Sequence, residues 1–108
     1  MSHRFIASGS SPWVELEPGA RFQLLKADAG GVSTLTWFDA GARGAWHVHP
    51  EGEELFMLEG EVEIGGTLLR AGDYLETPAG EGHQVTALTS ALMFVRLPKP
   101  PVYTTEEG

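Results

Sequence analysis

The chain has 108 residues, 15 of them acidic, 7 basic and none cysteine. A net charge of −8 argues against a nucleic-acid partner, and the lack of cysteine excludes disulfides, thiol nucleophiles and cysteine-based zinc or iron–sulfur sites. The length suits one domain spanning 1–108, 42% apolar residues suit a folded core, and no run reaches the roughly 20 apolar residues of a membrane span.

From the N-terminus, Met1-Ser2-His3-Arg4 is followed by no long apolar run. No signal peptide is expected, and the cytoplasm is the expected compartment. Residues 7–12 are rich in Ser, Gly and Pro, so the first 12 or so read as irregular, and His3 within them receives no role. Strands are then predicted over Arg21–Lys26 and Val32–Phe38. Further strands follow over Glu54–Leu58, Glu61–Ile64 and Thr67–Leu69, the last two joined by a Gly65-Gly66 hairpin turn. Asp73–Thr77, His83–Thr86 and Ala91–Leu97 complete the set. Pro98 to Gly108 reads as an extended tail that cannot be a central strand. Glycines and prolines at short intervals leave no room for long helices, so the fold class is all-β, a sandwich or barrel.

One predicted strand is apolar on both faces, with Leu55 and Met57 pointing one way and Phe56 and Leu58 the other. Barrel interior covers one side; the N-terminal segment or a second subunit covers the other. Met57, Met93, Phe56 and Phe94 read as barrel filling. Trp46 should face opposite to His47, as core or interface.

His47-Val48-His49 places two imidazoles on one face of an extended segment. Pro50 and Gly52 turn the backbone, so Glu53 can return beside them, and His83 opens a later strand. Three imidazoles and one carboxylate make a site for one divalent first-row ion: iron, manganese, nickel, zinc or cobalt. Glu51 is the substitute carboxylate if the turn is wide, and Glu54 should face away from Glu53. A His-x-His pair alone also suits two exposed histidines; the glycines around it carry more.

Gly41, His47, His49, Glu53 and Gly60 stand at the spacing of the first cupin motif, which this stretch resembles. Gly72, Pro78, Gly80 and His83 stand at that of the second, with Ala87 where that motif has Asn. The resemblance implies a cupin β-barrel of two antiparallel sheets, jelly-roll-like and often dimeric, with a metal carried by His47, His49, Glu53 and His83. The further pattern of Trp13, Gly52, Glu54, Leu58, Glu59 and Tyr74 is similar to ChrR-type cupins. That group includes the C-terminal domain of a zinc-dependent anti-sigma factor and diketone-cleaving dioxygenases acting on acetylacetone. With no helix-forming segment in this sequence, an anti-sigma role is not expected. The resemblance leaves two readings. One is an oxygenase acting on a small chelating or dicarbonyl substrate. The other is a non-catalytic metal or small-molecule sensor module. Inward positions Leu55, Met57, Leu75, Val85 and Phe94 offer few polar groups, against a hydrolase with its own general base.

Overall fold

The computed structural model describes residues 3–104. Every regular element among them is a strand: β1 (Val14–Glu17), β2 (Ala20–Asp28), β3 (Gly31–Phe38), β4 (His47–His49), β5 (Glu53–Glu59) and β6 (Glu61–Ile64). The chain continues through β7 (Thr67–Arg70), β8 (Tyr74–Thr77), β9 (Glu81–His83), β10 (Val85–Ala87), β11 (Ala91–Leu97) and β12 (Val102–Tyr103). No helix long and apolar enough to cross a membrane is present among the described residues.

The strands form one six-stranded sheet, β1-β2-β3-β11-β5-β8, and two three-stranded sheets, β10-β6-β7 and β12-β4-β9. Every ladder is antiparallel. The small sheets together form the layer opposite the large one. The predicted strand His83–Thr86 is interrupted at Gln84, so β9 joins one small sheet and β10 the other. The Gln84 side chain explains the interruption: it donates to the Gly44 carbonyl at 2.8 Å and accepts from Arg43 at 3.1 Å. The core lies between the layers and draws Phe38, Leu55, Met57, Met93 and Val95 from the large sheet. Val62, Ile64, Leu69 and Val85 meet them from the opposite side. Burying a side chain of this size contributes about 1.5–3 kcal/mol.

Three expectations change. β1 and β12 were not predicted, because each is short, lies at a sheet edge and is mostly exposed. β12 falls inside the predicted tail, and as an edge strand it agrees with the exclusion of a central one. The outer ends of the predicted irregular segments, 1–2 and 105–108, lie outside the described residues; 7–12 contain no strand. Phe56 and Phe94 do not fill the barrel. They pair with each other across β5 and β11 on the outer face, the face that also carries Arg96. Inner-face alternation instead assigns Met93, Val95 and Leu97 to the core. Of the other residues expected inward, Met57 is fully buried and Leu75 packs against the core from its edge.

Candidate metal centre

β4 is only three residues long, yet its register is tied on both sides. His47 stands opposite His83 on β9 and opposite Tyr103 on β12. Alternation turns His47 and His49 inward and leaves Val48 between them half-buried. β9 can approach closely because residue 82 is glycine: a Cβ there would stand 2.7 Å from the Trp46 ring and 2.9 Å from the His47 carbonyl. Trp46 therefore packs over Gly82 on the side away from His47, as expected. Gly52 closes the turn from β4 to β5 with a φ of +90°, its N–H donating to the His49 carbonyl at 3.1 Å. That turn delivers Glu53 to the start of β5, opposite Thr77 of β8.

Four predicted residues meet here. One ring nitrogen from each of His47, His49 and His83 lies within 4.8 Å of the others, and all three side chains are buried. Nε2 of His49 and Nε2 of His83 are 3.1 Å apart. Glu53 Oε1 lies 3.4 Å from the first and 3.5 Å from the second. Glu51 and Glu54 are exposed and outside the cluster; Glu54 accepts from the Tyr74 hydroxyl at 2.9 Å.

The surroundings hold the outward-facing nitrogens of His47 and His83, while Nδ1 of His49 is buried without a partner. His47 Nδ1 is 3.0 Å from the Ala45 carbonyl, which can only accept, so Nδ1 donates there and Nε2 is the nitrogen left for a ligand role. Ala45 is itself held, because its N–H donates to Glu17 Oε1 at 2.9 Å. The Thr77 hydroxyl lies 3.4 Å from His83 Nδ1, on the side away from the cluster. Burial, with the neighbouring imidazoles adding to it, lowers His49 to about 3 and His83 to about 4. Both rings are therefore neutral at pH 7. Burial raises the Glu53 carboxyl to about 7.

These observations test whether a cation suits the site. Glu53 Oε1 is buried without a hydrogen-bond partner, a state that costs about 1–3 kcal/mol, more for a charged group. Three imidazole nitrogens and one unsatisfied carboxylate oxygen are the ligand chemistry of a divalent first-row ion. The residues fit.

Comparison with known proteins agrees with the motif spacing. The model of the ChrR Cupin-like domain matches residues 1–99. The chain belongs to that family. An RmlC-like cupin from Shewanella frigidimarina superposes with a TM-score of 0.80 at 25% identity, covering 91% of this cupin and 93% of that chain. An acetylacetone dioxygenase from Acinetobacter johnsonii gives 0.88 at 17% identity, over 100% of this cupin and 82% of that chain. The anti-sigma factor ChrR of Rhodobacter sphaeroides, crystallised with SigE, gives 0.76 at 19% over 84% of this cupin and 51% of that chain. The last two likenesses show the fold. Curated proteins give no significant match.

Three of the four residues, His47, His49 and Glu53, also line a cavity of about 440 Å³. Its wall is almost wholly apolar, with Phe22, Val32, Leu55, Val85, Val95 and Leu97 among its residues. Leu55 and Val85 are where the inward alternation put them; Phe94 is not part of the lining. Leu16 and Glu17 of β1 and Pro100, Pro101 and Tyr103 of the C-terminal segment also line it. Leu16 and Tyr103 are each over 40% exposed, so this side forms the rim. The Tyr103 ring stands 5.3 Å from that of His47. Burial, then the Glu17 and Glu53 carboxylates, hold its hydroxyl above the usual tyrosine range, so it remains a proton donor. Sequence reasoning missed Tyr103, Thr77 and Glu17. Only the register of β4 and β8 and the fold of β1 bring them to the site.

Proposed function

We propose that His47, His49, Glu53 and His83 hold one divalent metal ion, and that the cupin is an oxygenase acting on a small chelating or dicarbonyl substrate. The observation that supports this reading best is the buried, unpartnered Glu53 oxygen beside a cluster of three imidazoles, two of which line an apolar cavity. When bound, the ion supplies Lewis acidity and, if redox-active, the means to use dioxygen. The protein's own residues do the rest. Glu53 offsets one of the ion's two charges and the neutral imidazoles offset none, so an anionic oxygen ligand such as an enolate is favoured. The apolar wall excludes water from the substrate's body. Tyr103, beside His47 at the rim, can donate a hydrogen bond to a substrate oxygen. The likeness to the Acinetobacter acetylacetone dioxygenase, although one of fold, points the same way.

The test has two stages. Element-resolved metal analysis of untagged protein, purified without chelators, should find near one equivalent of iron, manganese, nickel or cobalt. Oxygen consumption should then be seen with a 1,3-diketone and be lost in His83→Ala. Zinc near one equivalent, with diketone binding but no turnover, would favour the sensor reading. Absence of uptake of any added metal would remove both.

The same proposal includes a homodimer. The outer face of the large sheet exposes Phe56, Leu58 and Tyr74 at 40%, 40% and 55%. Adjoining apolar side chains of this size commonly mark an interface. Light scattering should give twice the chain mass, and Phe56→Lys should reduce it to one.

A further inference from the structure

The cavity contains one polar feature that the metal reading leaves unused. Thr34 and Thr36 project inward from β3, where the other inward positions are Val32 and Phe38. Both threonines are buried, at 7% and 8% exposure, and both line the cavity. Their hydroxyl oxygens lie 3.1 Å apart, and the structure gives neither hydroxyl another partner. Strand propensity does not choose Thr over Val here, since both are β-branched. Packing does not choose it either, since Val has the same shape without the cost of burying a hydroxyl. One proton satisfies the contact between the two oxygens; the second proton and the remaining lone pairs face the cavity.

Register gives the position of this pair. Thr34, Val95 and Leu55 stand in one row across β3, β11 and β5. Glu53 lies two residues along β5 on the same face. Two strand spacings and two residue rises separate the backbones of Thr34 and Glu53 by about 12 Å. Between them the wall is Val95, Leu55 and Leu97. The charged side chains in the lining, apart from the histidines, are Glu17 and Glu53, both acidic; neither Lys nor Arg lines it.

We infer that the cavity takes a two-ended ligand that carries no charge beyond its metal-facing oxygens: oxygen donors at the His47–His49–Glu53–His83 end, an aromatic or short alkyl body, and an alcohol or phenol hydroxyl seated on Thr34 and Thr36. The first end rests on the metal reading above. The second end does not, because the hydroxyl pair and the apolar wall belong to the protein alone. A carboxylate or phosphate in place of the hydroxyl finds no cation to pair with and repels the two glutamates. An apolar group leaves the hydroxyl pair's second proton unmatched.

Calorimetry on the metal-free full chain tests the second end with 4-propylphenol, propylbenzene and 4-propylbenzoate. The Thr34→Val/Thr36→Val double variant should bind 4-propylphenol about 5- to 10-fold more weakly, the loss of one neutral hydrogen bond. Its affinity for propylbenzene should stay within about twofold, and 4-propylbenzoate should bind wild type far more weakly than the phenol. Thr34→Ser and Thr36→Ser, which keep the hydroxyls, should behave as wild type and guard against a fold defect in the double variant. An unchanged phenol affinity in the double variant, equal binding of the benzoate, or no phenol binding by wild type would overturn the inference. On zinc-loaded protein, 1-(4-hydroxyphenyl)butane-1,3-dione should bind more tightly than 1-phenylbutane-1,3-dione, and the double variant should equalise them. Equal binding of the two diketones by wild type overturns this inference and leaves the metal reading standing. Absence of zinc uptake, with the phenol discrimination intact, overturns the metal reading and leaves the hydroxyl site standing.

Discussion

Two walls of one cavity are built in different ways. On the six-stranded sheet, Leu24, Thr34, Val95 and Leu55 come from four adjacent strands and present shape and volume. On the β12-β4-β9 sheet, the strands are two or three residues long and present His47, His49 and His83. Long strands in register make a wall whose apolar side chains are interchangeable at some cost in packing. Short strands pinned by a tight turn at Gly52 and a close approach at Gly82 make a wall whose side chains are not interchangeable, because the His47 ring is oriented by a backbone carbonyl and the His83 ring by a hydroxyl. Glu53 is the exception that joins the two: it is the large sheet's first residue on β5 and the small sheet's fourth potential ligand.

The comparison is broken most completely on the short side. His49→Ala and His83→Ala should each reduce bound metal from near one equivalent to under about a tenth. Oxygen uptake should fall more than about 100-fold, beyond what removing an outer partner costs. Far-ultraviolet circular dichroism should be preserved; full metal content in either variant would refute the assignment. The long side breaks differently. Leu55→Ala empties a side chain that is 2% exposed and should cost about 2–5 kcal/mol, read as a fall in Tm of more than about 10 °C. Zinc uptake at low temperature should survive, and its loss would mean that the two walls are not separable.

A pH series sharpens the contrast without mutation. In metal-free protein His49 sits near 3 and His83 near 4, below the ordinary 6.5, so between these values and 6.5 the unfolded chain binds the extra protons. Glu53 sits near 7 against 4.5, so between those values the folded chain binds one proton more. Two imidazoles outweigh one carboxyl. Stability should therefore rise with pH to about 6.5 and then fall slightly to about 7. Thermal melts across this range check it, and Glu53→Gln should abolish the fall above 6.5. Glu17→Ala, two steps from the cluster, should weaken metal binding only about threefold by competition titration, less than loss of a direct partner. The smallest effect belongs to Arg21, whose guanidinium lies 5.8 Å from the Trp13 ring centre and 5.5 Å from that of Trp37. Arg21→Ala should cost about 0.5–1 kcal/mol, a Tm shift of a few degrees, with metal content untouched.

The four clustered residues were legible because glycines and histidines at fixed intervals leave few ways to fold: His-x-His sets two rings on one face, and Pro50 and Gly52 force the return of Glu53. The long strands were legible from alternation, and Glu61–Ile64 and Ala91–Leu97 agree residue for residue. Phe94 was misassigned because β11 is apolar at both parities. Arg96, on the parity of Phe94, was the available sign that this face points outward. The split at Gln84 was hidden because it depends on Gly44 and Arg43, forty residues away in sequence. Edge strands β1 and β12 carry too little apolar periodicity to announce themselves. Their contribution to the rim follows only from the closed barrel.

One contact ties the rim to the histidine cluster. Ala45 is gripped from two sides, its N–H by Glu17 of β1 and its carbonyl by the ring of His47. β1 is an edge strand, paired with β2 alone. Leu16 and Glu17 are neighbours on that strand, and both line the cavity. The cavity mouth and one imidazole therefore share a single anchoring residue, Ala45.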